Sequence, residues 1–339
     1  MKTLVLETPG HFTQTDTEAP NHLKEGEAIV RVHRVGICGT DLHAYRGRQP
    51  FFSYPRILGH ELGVEIANIA DNTLGLKQGD RCAVEPYLNC GHCIACRKGK
   101  TNCCTSLQVL GVHTDGGMRE LIRVPITKLH KSETIDIERL ALVETLGIGA
   151  HAVQRANLEA GEWVLVIGAG PIGLTVMQFA KIAGAKVIAL DVNADRLAFC
   201  KAQLAVEETV LASDAALETV REITEGDLPT AVFDATGNIA SMHEAFRYVA
   251  SGGRLTFVGL VLDNITFPDP DFHRRELTLL ATRNATGADF QRILRLMEAG
   301  TIDTTPWITH RANADTMIET FPSWLLPETG VIKAVVAFS

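Results

Sequence analysis

The sequence has few of the features that mark a membrane, secreted or nucleic-acid-binding protein. No stretch approaches the roughly 18 consecutive apolar residues that a membrane-spanning helix needs. The N-terminus has only a short apolar run before Pro9, which is typical of a first strand and not of a secretory signal. Lys and Arg total 32 against 40 Asp and Glu, for a formal charge of -8. This balance favours neither nucleic acid nor an anionic membrane as a partner, and we expect a cytoplasmic protein.

Disulfide bonds are also not expected, although the chain has eight cysteines. No secretion signal is visible, and in a reducing compartment clustered cysteines more often hold a metal than a disulfide. The cysteines stand at Cys38, Cys82, Cys90, Cys93, Cys96, Cys103, Cys104 and Cys200. The dense group between positions 90 and 104 is therefore a candidate metal site.

The order of strand-like and helical runs predicts two domains of different kinds. The first 145 or so residues contain short strand-like runs broken by Gly and Pro, such as EAIVRVHRVGI and LGVEIANIA. From Trp163 onward, strand-like and helical runs alternate, as in WVLVIG, LTVMQFAKIAG and KVIALD. This alternation predicts an α/β domain with a doubly wound parallel sheet, preceded by a β-rich domain. No internal repeat or low-complexity tract interrupts this order.

The cysteine cluster predicts a closed zinc site. Two C-x₂-C steps join Cys90, Cys93 and Cys96, and either Cys103 or Cys104 supplies the fourth thiolate. Four thiolates surround Zn²⁺ tetrahedrally and leave no position for a substrate. The role expected of such a site is to hold a loop that has no core of its own. The alternative is a set of buried cysteines without metal.

A second constellation, in GICGTDLH and GHE, predicts an open zinc site. Cys38, His60 and Glu61 offer a thiolate, an imidazole and a carboxylate, and three protein ligands with one open position describe a catalytic zinc. Thr40 and His43 follow closely and suit a relay that takes a proton from a bound alcohol. The alternatives are a core cysteine, a surface His–Glu pair and a turn hydroxyl at Thr40.

The segment GAGPIG, residues 168–173, predicts a dinucleotide site because a strand-like run precedes it and a helical run follows it. Its glycines allow the tight turn, the approach of a pyrophosphate to the helix N-terminus and close helix packing. Asp191 ends the next strand, and its carboxylate suits the ribose hydroxyls and repels a 2′-phosphate. NAD is therefore expected over NADP, although Arg196 is a possible partner for such a phosphate.

Taken together, these motifs resemble the zinc-containing medium-chain dehydrogenase/reductase family, in the family's order and over essentially the whole chain. The resemblance implies a discontinuous GroES-like catalytic domain, residues 1–147 and 282–339, interrupted by a Rossmann domain, residues 148–281. It also implies a cleft that closes on the cofactor, two zinc ions per chain, and a homodimer or homotetramer.

The resemblance assigns roles to individual residues. Thr40 and His43 match the proton relay, Cys38 and His60 match the catalytic zinc ligands, and Cys104 matches the fourth ligand of the closed site. The matching cofactor positions are Gly168, Gly170, Pro171, Ile172, Gly173, Asp191, Arg196, Ala235, Thr236, Val258, Gly259 and Leu260.

One difference from the ethanol-oxidising branch of the family narrows the expected substrate class. That branch has a second zinc-binding cysteine where this sequence has Glu144, in LVETLGIGAHA. The sequence is similar here to the polyol, threonine and sugar-acid branch, in which Glu61 and Glu144 each approach the metal. Two carboxylates and one thiolate give a more anionic site, in which at least one carboxylate exchanges with water or substrate. The relay then runs partly through Glu144, which is the third expected catalytic residue.

Further segments, among them QPFFSYPRILGHE and DPDFHRRE, resemble enzymes that oxidise a hydroxyl of a hexonate to a keto acid. The candidate substrate residues are Tyr45, Phe51, His113, Arg283 and Asn284, with Arg283 suited to a carboxylate or to a cofactor phosphate. The alternatives are a galactitol 1-phosphate-like polyol phosphate, sorbitol or threonine as substrate. Two alternatives to this dehydrogenase function remain: a zinc-free quinone reductase, and a sensor that binds zinc and nucleotide but has no activity.

Overall fold

The structure is a computed structural model that describes residues 1–50 and 52–338. The chain forms two compact units. Unit 1 contains Met1–Thr145 and Ala285–Ser339, and unit 2 contains Leu146–Asn284. The predicted domain boundaries, after residues 147 and 281, lie close to these breaks.

The elements follow one another in the order that the sequence predicts, with strands first and alternation later. The strands of the described residues are β1 (Lys2–Thr8), β2 (His11–Asp16), β3 (Glu27–Ile37), β4 (Glu61–Ile69), β5 (Arg81–Val84), β6 (Tyr87–Leu88), β7 (Gln108–Val109), β8 (Leu121–Pro125), β9 (Leu129–Lys131), β10 (Trp163–Ile167), β11 (Lys186–Asp191), β12 (Glu208–Leu211), β13 (Ala231–Asp234), β14 (Arg254–Phe257), β15 (Thr278–Ala281), β16 (Ile308–Asn313) and β17 (Lys333–Ala337). The α-helices are α1 (Gly39–Tyr45), α2 (Ile94–Arg97), α3 (Ile137–Ala141), α4 (Val143–Ala156), α5 (Pro171–Ile182), α6 (Ala194–Leu204), α7 (Ala216–Ile223), α8 (Ile239–Glu244), α9 (Asp269–Arg274), α10 (Gly287–Glu298) and α11 (Met317–Thr320).

Unit 1 is built on a seven-stranded sheet in the order β16-β17-β3-β4-β5-β9, with β8 also paired to β3. The long strand β3 is mostly buried because it pairs with three neighbours, all antiparallel. In its register with β4, Gly36 stands opposite Glu61. The strand ends that carry the predicted ligands are therefore adjacent. The predicted β-rich domain is confirmed.

Unit 2 is a six-stranded sheet in the order β12-β11-β10-β13-β14-β15, and every neighbouring pair is parallel. Its central strands are continuous apolar runs because helices cover both faces of such sheets. The strand order reverses between β10 and β13, which is the place where doubly wound sheets bind ligands, at the carboxyl ends of the strands. The predicted Rossmann-type sheet is confirmed.

Each unit has its own apolar core, one around the large sheet of unit 1 and one around the parallel sheet of unit 2. Among the described residues, no helix combines the length and the apolar character required to cross a membrane.

Candidate metal centres and cofactor site

The closed cluster consists of four cysteine sulfurs that all lie within 4.8 Å of one another, those of Cys90, Cys93, Cys96 and Cys104. Backbone amides point at these sulfurs: the amide of Cys90 donates to Cys104 Sγ at 3.3 Å, and that of Cys93 donates to Cys90 Sγ at 3.4 Å. A hydrogen bond from the amide of Cys96 is the main cause that lowers the pKa of the Cys93 thiol to about 5. Since zinc binds thiolates, this donor set fits a tetrahedral Zn²⁺. Cys103 is exposed and stands outside the group.

The open cluster brings together Cys38, His60 and Glu61, with ligand atoms within 4.8 Å of one another. Cys38 follows β3 and precedes the first turn of α1, while His60 and Glu61 stand at the start of β4. The pairing of these two strands is what makes distant segments adjacent. Gly36 is required beside them, because a Cβ at this position would lie 2.1 Å from Glu61 Oε2.

The electrostatics of the open cluster favour a cation. His60 is buried, and its Nδ1 has no hydrogen-bond partner among the described residues but lies 3.8 Å from the buried Asp41 Oδ1. Burial lowers the pKa of His60, but Asp41 and Cys38 outweigh it and hold this pKa well above the ordinary value. Because a metal ion displaces the same proton, a thiolate, an imidazole and a carboxylate in this field fit Zn²⁺ with an open position.

Lys333 is a buried cation beside the open cluster and is not among the residues that the sequence pattern predicts for this site. Its Nζ donates to both carboxylate oxygens of Glu61, at 2.7 and 2.8 Å, and to the carbonyl oxygen of Ile37 at 3.2 Å. Burial lowers the pKa of Lys333, but Glu61 and Cys38 raise it above the ordinary value, so the ammonium stays charged. One of the two carboxylates predicted for this site is thus neutralised by a buried cation.

Glu144 lies near the open cluster. Among the described residues, however, the group of ligand atoms that lie within 4.8 Å of one another does not include its carboxylate oxygens. The buried Tyr87 donates its hydroxyl proton to Glu144 Oε1. Burial raises the pKa of the Glu144 carboxyl, while His60 lowers it and Glu61 raises it, so its charge interacts with those of the ligands. The role of Glu144 as a zinc ligand or proton acceptor stays a prediction.

The predicted relay residues lie on α1. Cys38 Sγ is 3.7 Å from Thr40 Oγ1, so the hydroxyl is next to the proposed ligand. His43 is exposed one turn further along the helix. Partial burial and the nearby Arg46 and Arg48 lower the pKa of His43, which favours a neutral imidazole that accepts a proton.

The glycine motif of unit 2 has the geometry that a dinucleotide requires. Gly168 has φ of +102°, and a Cβ at Gly173 would lie 1.7 Å from the carbonyl oxygen of Gly168. Asp191 ends β11, and its Oδ2 accepts the amide of Ala169 at 2.6 Å. A Cβ at Gly170 would be 3.4 Å from an Arg196 nitrogen, which places the guanidinium beside the first turn of α5.

Two further loops lie at the carboxyl ends of β13 and β14. The buried Asp234 accepts the amide and hydroxyl of Thr236, at 3.0 and 2.7 Å, and the amide of Gly259 donates to the Asp234 carbonyl at 3.0 Å. The loops touch backbone to backbone, since a Cβ at Gly259 would lie 2.4 Å from the Gly237 nitrogen. Ala235, Val258 and Leu260 belong to these loops, and Leu260 is exposed.

The predicted substrate residues have diverse surroundings. Tyr45 packs its ring against Phe12 and Phe321, with centroids 5.6 and 5.0 Å away. His113 accepts the amide of Val109 through Nδ1 at 3.1 Å, which fixes its own turn.

Two of the other predicted substrate residues lie at the end of unit 2, and one lies outside the described residues. Arg283 is exposed, and Asn284 has φ of +52°. Phe51 lies outside the described residues. All five substrate assignments stay predictions.

Asp41, Tyr87 and Lys333 are not among the residues that the sequence motifs predict for this site. For Lys333 a signal existed, because it is a lone charge inside the apolar strand run VIKAVVAF. Asp41 stands at the third position of α1, where its side chain accepts the amide of Cys38 at 2.9 Å. Tyr87 has no comparable signal, since a single Tyr in a short strand is ordinary.

Comparisons with known proteins agree on one family. Residues 24–134 match the family described as alcohol dehydrogenase GroES-like domain, and residues 171–299 match zinc-binding dehydrogenase. L-galactonate-5-dehydrogenase of Escherichia coli K12 is 40% identical over 338 residues, which cover 100% of this chain and 99% of the relative.

Two solved structures extend the agreement to the fold. A structure from E. coli CFT073, described as a short chain alcohol dehydrogenase complexed with NADH, is 30% identical with a TM-score of 0.92 and covers 100% of this chain and 99% of its own. Galactitol-1-phosphate dehydrogenase from E. coli has a TM-score of 0.92 at 25% identity and covers 100% of both chains.

Proposed function

Because this chain belongs to the zinc-containing medium-chain dehydrogenase/reductase family, we propose that it oxidises a secondary hydroxyl of a hexonate like L-galactonate, with NAD as hydride acceptor. The family membership makes the chain a zinc-dependent dehydrogenase of alcohols or polyols. The observation that carries the catalytic assignment is the open cluster of Cys38, His60 and Glu61. The hexonate is supported by the 40% identity to the L-galactonate enzyme over the full chain.

Different residues would bind the metal, orient the substrate hydroxyl and remove its proton. Cys38, His60 and Glu61 would hold a zinc ion, which when bound would lower the pKa of the substrate hydroxyl and ease its oxidation by the nicotinamide. Thr40, next to Cys38, orients that hydroxyl and accepts its hydrogen bond. The proton then leaves through His43 or, by way of water, through Glu144.

The preference for NAD rests on Asp191. Its carboxylate stands at the end of β11, beside the glycine turn, where the adenosine ribose of a dinucleotide is held in sheets of this topology. A negative charge there repels a 2′-phosphate. We expect Asp191→Asn to raise kcat/KM for NADP relative to NAD, and an unchanged ratio would contradict this role.

A substrate panel tests the proposal. Hexonates, polyols, polyol phosphates and threonine are offered with NAD or NADP, and NADH formation is followed by absorbance. We expect the highest kcat/KM for a hexonate with NAD. Preference for a polyol phosphate would replace the proposed substrate class by that of the galactitol-1-phosphate enzyme, and no turnover of any alcohol would favour a binding protein.

Two further expectations accompany this function. We propose a reducing compartment such as the cytoplasm, where clustered cysteines hold metal more often than disulfides. We also propose a homodimer or homotetramer, as the family resemblance implies, and sedimentation of the purified chain distinguishes the two.

A further inference from the structure

We propose that Tyr87 is a positioning residue that holds Glu144 outside the donor set of Cys38, His60 and Glu61. A zinc ion held by those three residues would then keep room for the substrate hydroxyl. This inference rests on the metal site of the proposed function, and it addresses which of the two carboxylates binds the metal.

The two carboxylates of the site have different neighbours. Glu61 is within the 4.8 Å group, and Lys333 contacts both of its oxygens without removing it from that group. Glu144 stands outside the group although it is buried beside the same charges. Its Oε1 is occupied by the Tyr87 hydroxyl. The Tyr87 hydroxyl is thus a buried contact that fixes Glu144 in its place beside this group.

Tyr87 is held in place by contacts of its own backbone and ring. Its backbone lies in β6, paired with Val109 of β7, and its ring packs edge-on against Phe290 with centroids 6.4 Å apart. Tyr87 is only 2% exposed, so water does not replace a lost partner of its hydroxyl.

The neighbouring Glu85 adds a second anchor. Its carboxylate accepts the ammonium of Lys128 and lies 3.2 Å from His130 Nε2, and the His130 ring stacks on Phe290 at 5.0 Å. The segment that carries Tyr87 is therefore held by buried ion pairs. For Glu144 to turn toward the metal, it must leave a buried hydroxyl unpaired, which is unfavourable.

The test is the rate at which zinc leaves the open site. Zinc release to a chromogenic chelator is followed in the purified, zinc-loaded protein, and the phase that is missing in Cys38→Ser belongs to the open site. Tyr87→Phe keeps the ring and removes the hydroxyl, which frees Glu144 to become a fourth protein ligand. We expect zinc release in this phase to slow by about tenfold or more. If Tyr87 were only an ordinary supporting contact, its loss would instead weaken metal binding, by about 10–100-fold, and zinc would leave faster.

Two further variants make the test specific. In the Tyr87→Phe background, Glu144→Gln should return the rate to that of the wild type, because the added ligand is removed. Tyr54→Phe is the matched control, since its hydroxyl donates to the backbone oxygen of Ala44 at 2.5 Å and not to a carboxylate. It should leave the phase unchanged.

Activity gives an independent readout. With the fourth position occupied by Glu144, kcat/KM for the alcohol should fall in Tyr87→Phe, while the Kd for NAD stays the same. An unchanged or faster zinc release in Tyr87→Phe overturns the inference, and so does a slow release that persists after Glu144→Gln. If Cys38→Ser keeps both release phases, the metal site of the proposed function fails, and the inference fails with it.

Discussion

The closed and open clusters are both candidate zinc sites, but different kinds of contacts hold them. In the closed cluster, backbone amides of neighbouring residues point at the sulfurs, and three of the four cysteines are partly exposed. In the open cluster, buried side chains from distant segments surround the ligands. Asp41 lies beside His60, and Lys333 forms an ion pair with Glu61. The closed cluster is thus a local structure, while the open cluster depends on strands of unit 1 that are distant in the sequence.

This difference predicts where substitutions act. The closed cluster contributes to the folding of its lobe, because zinc binding there is folding energy. The open cluster contributes to the reaction and carries buried charges whose removal is costly. The following experiments test the comparison.

The largest effect is expected from Cys38→Ser. Turnover should be abolished because the open site loses its thiolate, while the Kd for NAD stays nearly the same, since the dinucleotide residues belong to unit 2. His60→Ala should behave alike. Steady-state kinetics and isothermal titration with NAD measure the two properties, and full activity in either variant would refute the catalytic assignment.

The second effect concerns the buried pair of Lys333 and Glu61. In the metal-free protein, Lys333→Met should lower the free energy of unfolding by about 3–5 kcal/mol, because it leaves the buried Glu61 carboxylate without its partner. The double variant Lys333→Met with Glu61→Gln should recover most of this loss. Urea unfolding is the measurement. Asn89→Ala, which removes a 3.6 Å contact to Cys96 Sγ in the closed cluster, is the control and should have a far smaller effect; a similar loss in both would remove the distinction.

A smaller effect is expected at Asp136, which caps α3, the helix before the one that carries Glu144. Its carboxylate accepts the amides of Glu138 and Arg139. Burial raises the pKa of Asp136, but the Arg139 hydrogen bonds outweigh it and lower this pKa below the ordinary value. Asp136→Ala should reduce the free energy of unfolding by about 1 kcal/mol at neutral pH.

The pH dependence of this cap has a definite sign. Because the folded-state pKa is lowered, the ionised cap stabilises the fold above the unfolded pKa of about 3.9 and loses that contribution as the pH falls through the folded value. The difference between wild type and Asp136→Ala should therefore shrink in acid. Asp136→Asn keeps a capping oxygen without the charge, and a difference from Asp136→Ala that changed with pH would contradict this account.

The smallest effect is expected from Cys103→Ser. Cys103 is exposed and stands outside the four sulfurs of the closed cluster, so its loss should leave the zinc content and the melting temperature unchanged. Metal analysis and thermal unfolding measure this. Loss of one zinc in this variant, but not in Cys104→Ser, would exchange the roles of the two cysteines.

The same contrast explains how much was predictable from the sequence. The spacing of the closed cluster and the glycine motif are local, and so are the apolar runs that become β3, β10 and β11. The contacts of the open cluster are not local: Tyr87 is separated from Glu144 by 57 positions, and Lys333 from Glu61 by 272. Only the pairing of strands in unit 1 brings these residues together, and no sequence spacing encodes it.

The fourth ligand of the closed cluster illustrates an intermediate case. The spacing alone allows Cys103 or Cys104, because the two are adjacent. In the structure the chain turns so that Cys104 is buried against the other sulfurs and accepts the amides of Cys90 and Ser106, while Cys103 faces solvent. The direction of a side chain in a short loop decides the matter, and the sequence pattern does not contain it.

Zinc content per chain tests the account most directly. The purified wild-type protein should contain two zinc ions per chain, and Cys38→Ser should contain one, with the remaining ion retained by the closed cluster. One zinc or none in the wild-type protein, or two in Cys38→Ser, would contradict the existence of two sites with different roles.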